Sequence, residues 1–204
     1  MPASGGRSDV SRETSDRLDA FEALLRKWNP AINLVSRASL PDLRQRHIAD
    51  SVQVFEFAGV ASGHWVDLGT GGGFPGLIVA ILAAETAPGL RVTCIESDAR
   101  KAAFLTTVVR ELGLSTGILA ERVEMAEPQS GDVVSARALA PLVDLLPLAL
   151  RHLAPDGIAI FPKGAQHAKE VAEARAHWRF TLTDAQSRTD PAARLLKFEG
   201  ITRG

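Results

Sequence analysis

With 204 residues, 46% of them hydrophobic and 23% charged, the chain has the make-up of one compact domain with its own core. A formal net charge of −1 argues against a protein that holds nucleic acid by bulk electrostatics alone, so any basic surface has to be assembled by folding. A lone cysteine excludes an internal disulfide, and without a signal-like apolar stretch or a run of about 18 uncharged apolar residues the chain is expected to be cytoplasmic and free of membrane spans; a monomer is expected besides.

Residues 1–10 are polar and read as a mobile tail. Leu18, Phe21, Leu24, Leu25 and Trp28 then recur as the stripe of an amphipathic helix. Asn29-Pro30 is expected to end it, because the residue before a proline is pushed out of the helical region. A second helix is predicted from Pro41 through Ile48, Val52 and Phe55 to about Ala58. Together they form an N-terminal element, 11–60, preceding a core over 61–204.

The core opens with a strand at 64–68, a glycine-rich turn and an apolar helix at about 75–84. A strand at 91–96 follows, with Cys94 as a core side chain. The next helix has Ser97 or Asp98 as N-cap, an apolar face through Phe104, Leu105, Val108 and Leu112, and Gly113 just past its end. Further strands are predicted at 117–120, 132–135 and 157–161, with a helix near 141–153. Strands and helices alternating at this spacing imply a doubly wound, mostly parallel α/β sheet. Segments 178–184 and 194–201 read as consecutive strands and should close the sheet as an antiparallel hairpin.

The turn itself, Asp67-Leu-Gly69-Thr-Gly71-Gly-Gly73-Phe74-Pro-Gly76, fits two registers. Gly71-x-Gly73-x-x-Gly76 is the dinucleotide pattern, in which backbone amides at a helix start approach a pyrophosphate. Asp67-x-Gly69-x-Gly71-x-Gly73 is the nucleoside pattern, with Asp67 suited to a cationic ammonium or sulfonium, or acting only as a cap of the turn. Glu96 closes the next strand roughly 20 residues on, where a carboxylate accepts from ribose hydroxyls. Arg137 and Lys163 follow predicted parallel strands, whose carboxyl ends form the ligand crevice of such sheets. Arg46, His47, Asp50 and Ser51 share one helical face, either as a surface hydrogen-bonded cluster or as part of a substrate surface. There is no tyrosine to stack on a base; Phe74, Trp28 and Trp65 remain, and only Phe74 lies in the turn. No metal-ligand spacing and no paired nucleophile and base are found, so no metal is expected.

The turn resembles the cofactor loop of the GidB/RsmG family, the bacterial small-subunit ribosomal RNA guanine-N7 methyltransferases. Trp28-Asn29, Asn33-Leu34-Val35-Ser36, Arg46-His47-Ile48-Ala49-Asp50-Ser51, Glu96-Ser97-x-x-Arg100-Lys101, Arg122-Val123-Glu124, Ser135-Ala-Arg137-Ala-Leu-Ala-Pro-Leu142 and Lys163-Gly164 follow in the family's order, over roughly 18–201. The resemblance implies a Rossmann-like class I methyltransferase using S-adenosylmethionine on 16S ribosomal RNA of the small ribosomal subunit. It implies cofactor contacts at Gly69, Phe74, Glu96, Val123 and Glu124, which join Asp67, Gly71 and Gly73 of the nucleoside pattern as expected cofactor residues. Arg137 stands near the methionine end as the catalytic candidate, and Arg46, His47 and Lys163 face the substrate. A nicotinamide-dependent oxidoreductase, a non-catalytic nucleoside-binding scaffold, and a methyltransferase acting on protein or a metabolite are the competing readings.

Overall fold

A computed structural model describes residues 10–204, so all but the last residue of the expected tail lie outside the described residues. Helix α1 (Arg12–Ile32) starts where Ser11, extended at ψ 164°, accepts the Thr14 amide on Oγ at 3.2 Å. It does not stop at Asn29. Pro30 sits inside its last turn, and the helix ends at Asn33, whose left-handed backbone (φ 49°) donates to the Asn29 carbonyl at 3.0 Å. The reason is tertiary: Asn29 is buried, and its Oδ1 accepts the Val35 amide at 2.9 Å, which fixes the following loop and outweighs the local preference of a pre-proline residue.

The second helix begins later than Pro41, as a π-helical turn at Arg44–Ile48 that runs into α2 (Ala49–Ala58) and ends at Gly59. Strand β1 (Ser62–Leu68), α3 (Gly76–Thr86), β2 (Gly89–Ile95) and α4 (Ala99–Glu111) follow as predicted to within a few residues, with Asp98 as the N-cap of α4. So do β3 (Thr116–Leu119), β4 (Gly131–Ala136), α5 (Leu142–His152) and β5 (Leu153–Lys163). Helix α6 (His167–Arg175) carries no apolar stripe, only Ala174 being buried, and the sequence pattern gives no sign of it. Strands β6 (Trp178–Gln186) and β7 (Arg194–Arg203) complete the chain.

The seven strands lie in the order β3-β2-β1-β4-β5-β7-β6. The first five are parallel, and β7 pairs antiparallel with both β5 and β6. Alternate residues along a strand face opposite sides. Trp65, Val133 and Ile160 accordingly join the core shared with α1 to α4, while Val66, Val134 and Phe161 join the core beneath α5 and α6. Helices on both faces make this the doubly wound sheet expected, with the antiparallel end. Cys94 is fully buried and burial pushes its thiol up, consistent with a core side chain. The start of α1 is tied to α3 through Glu85, which accepts from Ser11 Oγ at 2.8 Å and from the Thr14 hydroxyl. The N-terminal helices are thus packed onto the sheet and not free of it.

Candidate cofactor and acceptor site

The parallel strands β1, β2 and β4 end side by side, and the turns that leave them surround a cavity of about 410 Å³, within the usual size of a small-ligand site. Gly69, Gly71, Phe74, Glu96, Val123, Glu124 and Arg137 line it, so seven of the expected cofactor residues converge although they span sixty-eight positions of chain.

The glycine turn is shaped by backbone that side chains resist. Gly69 has φ +62°, and a methyl group there would stand 2.6 Å from Leu139 Cδ1. Gly76 marks a close approach: a Cβ would lie 2.6 Å from Cys94 Sγ and 2.8 Å from Asp67 Oδ2. Thr70 N donates to the Ile95 carbonyl at 3.1 Å and Gly71 N to Glu96 Oε2 at 2.8 Å, which binds the turn across to β2. Glu96 Oε1 accepts the Asp98 amide at 2.8 Å. Each oxygen keeps a second lone pair with which to accept a further hydrogen bond.

Two expected contacts lie off the cavity wall. Gly73 is turned toward Phe21 and Leu77. Asp67 is fully buried beneath the turn: its Oδ2 accepts the Gly76 amide at 3.0 Å and its Oδ1 accepts Ser135 Oγ at 2.6 Å. Ser135 Oγ in turn accepts Trp65 Nε1–H at 2.8 Å. Burial pushes the Asp67 carboxyl up to about 6, against the hydrogen bonds that favour its ionised form. The acid therefore caps the turn and α3 from below, off the cavity wall.

At the open end Arg137 meets the N-terminal element. Its Nη1 donates to His47 Nδ1 at 2.6 Å, and its guanidinium lies 4.9 Å from the Phe74 ring centroid. The imidazole ring is 5.2 Å from the same ring. Since Nδ1 accepts, Nε2 carries the hydrogen, and that buried atom has no partner among the described residues. Burial, then the charges of Arg137 and Arg46, press the His47 pKa down to about 4. Burial lowers Arg137 as well, opposed by Asp50 and Asp67, yet a guanidinium stays charged. Ser51 Oγ donates to the His47 carbonyl at 2.8 Å, so the helical cluster splits: Ser51 is buried and His47 turns to Arg137, whereas Arg46 is exposed; none of the three lines this cavity or its neighbour.

Lys163 stands in the neighbouring cavity, paired to Glu170 at 2.7 Å. Of the candidate aromatics, Trp65 is core and Trp28 packs on Phe104. Lys101, Arg122 and Leu139 line the first cavity without having been singled out; all three lie inside quoted motifs, which was the only signal available. Glu170 belongs to α6 and had no signal at all.

Residues 14–192 match the family model GidB, described as rRNA small subunit methyltransferase G. The chain is 54% identical to the ribosomal RNA small subunit methyltransferase G of Ruegeria sp. (strain TM1040), over 96% of this chain and 95% of that one. Its fold is similar to a SAM-dependent methyltransferase from Aquifex aeolicus (TM-score 0.60, 14% identity, 87% and 97% covered). It is also similar to M. jannaschii TYW2 in complex with AdoMet (TM-score 0.54, 11% identity, 76% and 77% covered). On the strength of a match that takes in the glycine turn, Arg137 and Lys163 alike, the chain belongs to the GidB family of rRNA small subunit methyltransferases.

Proposed function

We propose that this protein transfers a methyl group from S-adenosylmethionine to N7 of a guanine in the 16S ribosomal RNA of the small ribosomal subunit, in the bacterial cytoplasm. The observation that carries this reading is the convergence of the glycine turn, Glu96, Val123 and Arg137 on one cavity. The residues present fit the cofactor: the turn leaves space that side chains would fill, Glu96 offers lone pairs, and Val123 and Leu148 give an apolar wall for a base.

When bound, the cofactor supplies a methyl group activated on sulfonium sulfur. Guanine N7 carries a lone pair and no proton. That pair forms the new N–C bond while the C–S electron pair stays on sulfur, so no general base is needed. This agrees with a site whose one nearby imidazole is neutral and has its acceptor nitrogen engaged by Arg137. What the chain contributes is alignment, which supplies up to roughly 7–11 kcal/mol of a barrier. Arg137 is held between His47 and the Phe74 face with N–H donors to spare, placed to meet an RNA phosphate or the O6 edge. Arg46 is an exposed cation whose charge is felt at His47.

The test is transfer of labelled methyl to small subunits and their RNA from a strain lacking the protein, followed by nucleoside digestion. Label recovered as 7-methylguanosine is expected. Cofactor binding without label in RNA would send the acceptor to protein or a metabolite.

A further inference from the structure

A second cavity, of about 630 Å³, adjoins the first. Arg137, Ala138 and Leu139 line both, so one short stretch of chain forms the partition between them. The partition is held in an unusual shape. Ala138 adopts left-handed backbone at φ 53°, which a residue with a Cβ resists, and Leu139 is left 38% exposed above Gly69.

On the far wall of this cavity Lys163 and Glu170 form a shielded pair, 11% and 22% exposed and 2.7 Å apart. It is locked from both sides. Glu170 Oε2 also accepts the Leu142 amide at 2.9 Å, and Lys163 Nζ also donates to the Ala140 carbonyl at 2.8 Å. The bonds from the Leu142 amide and from Lys163 Nζ both fall on Oε2, so Oε1 accepts no hydrogen bond among the described residues. Lys163 retains one undirected N–H. A fixed carboxylate on a cavity wall, with one oxygen unengaged, selects a ligand with donors on its edge. Guanine presents N1–H and a 2-amino group side by side, whereas adenine presents an acceptor at N1. A base taken out of the stack is read along that edge.

We infer that the second cavity receives the acceptor guanine, extruded from the RNA, and that Glu170 Oε1 reads its N1–H and 2-amino group while N7 faces the Ala138–Leu139 partition. Lys163 positions Glu170, and its free N–H meets the O6 side. This inference rests on the acceptor reading above.

The experiment compares methyl transfer to reconstituted small subunits carrying either guanosine or inosine at the mapped position, by wild type and by Glu170→Gln. Inosine lacks only the 2-amino group. Wild type is expected to prefer guanosine by about tenfold or more in kcat/KM, the worth of one hydrogen bond to a charged acceptor. Glu170→Gln is expected to lose most of that preference, with its Kd for S-adenosylhomocysteine unchanged. Equal slowing of both substrates at an unchanged ratio makes Glu170 merely structural and overturns the inference. A wild-type ratio near one overturns it even if the variant does not fold. Absence of transfer by wild type to any small-subunit RNA overturns the acceptor reading itself, a distinct failure.

Discussion

His47 Nδ1 lies 2.6 Å from Nη1 of Arg137, joining residues ninety positions apart in the chain. The N-terminal element thereby sets the orientation of the cation at the mouth of the cofactor cavity. His47 accepts and Arg137 donates, so the contact exists only while the imidazole is neutral.

Arg137→Ala removes that cation from the partition between the two cavities. Methyl transfer at limiting RNA is expected to fall by more than about tenfold, corresponding to a charge-assisted contact of ~1.5–3 kcal/mol. The thermal unfolding midpoint serves as the control for folding. Near-wild-type transfer would remove Arg137 from the mechanism.

His47 also sets a pH dependence whose sign follows from its depressed pKa of about 4 against the ordinary 6.5. Between those values the unfolded chain binds the proton more readily, so the stability present above pH 6.5 is lost as pH falls toward 4. Going from pH 7 to pH 5, wild type should lose about 1–2 kcal/mol more than His47→Asn. Asparagine can still accept from Arg137, so transfer at pH 7.5 should recover in His47→Asn relative to His47→Ala. Parallel stability profiles in chemical denaturation, or equal transfer by the two variants, would contradict this.

Asp67 has the opposite sign. Its carboxyl is raised to about 6 from the ordinary 3.8, so its protonated form contributes stability below pH 3.8 that is lost as pH rises through 6. Asp67→Asn leaves either the Gly76 amide or the Ser135 hydroxyl without its acceptor, at a cost of about 1–3 kcal/mol. That cost should be largest near pH 4 and shrink toward pH 8, because only wild type acquires the buried charge. Denaturation midpoints at the two pH values measure the difference.

Gly76→Ala adds a methyl group where Cys94 Sγ and Asp67 Oδ2 stand at 2.6 and 2.8 Å, both on fully buried side chains. Neither has room to retreat. A loss of about 1–3 kcal/mol is expected, together with weaker S-adenosylhomocysteine binding as α3 and the turn move apart. Gly113→Ala is the comparison: it has φ +62° but nothing within 4 Å, so it reports backbone strain alone and should leave cofactor affinity unchanged.

The amino-acid sequence by itself determined the alternation of strands and helices, the closing hairpin, and the positions of the glycine turn, Glu96 and Arg137. These are local or periodic features: a strand shows a period of two, an amphipathic helix a stripe, and a ligand turn sits at a strand's carboxyl end. The tertiary structure alone decided where each side chain points. Asp67 turns beneath the loop and not into the cavity, because Gly76 and Ser135, nine and sixty-eight residues away, supply its donors. Pro30 remains helical because buried Asn29 is anchored to Val35. Arg46 and His47 are adjacent in sequence, yet the packing of the π-helical turn sends one to solvent and the other to Arg137. Helix α6 and Glu170 lacked any periodic mark, since a helix lying on the surface with one buried residue has no stripe to betray it; the short turn from β5 into α6 brings that carboxylate back to Lys163.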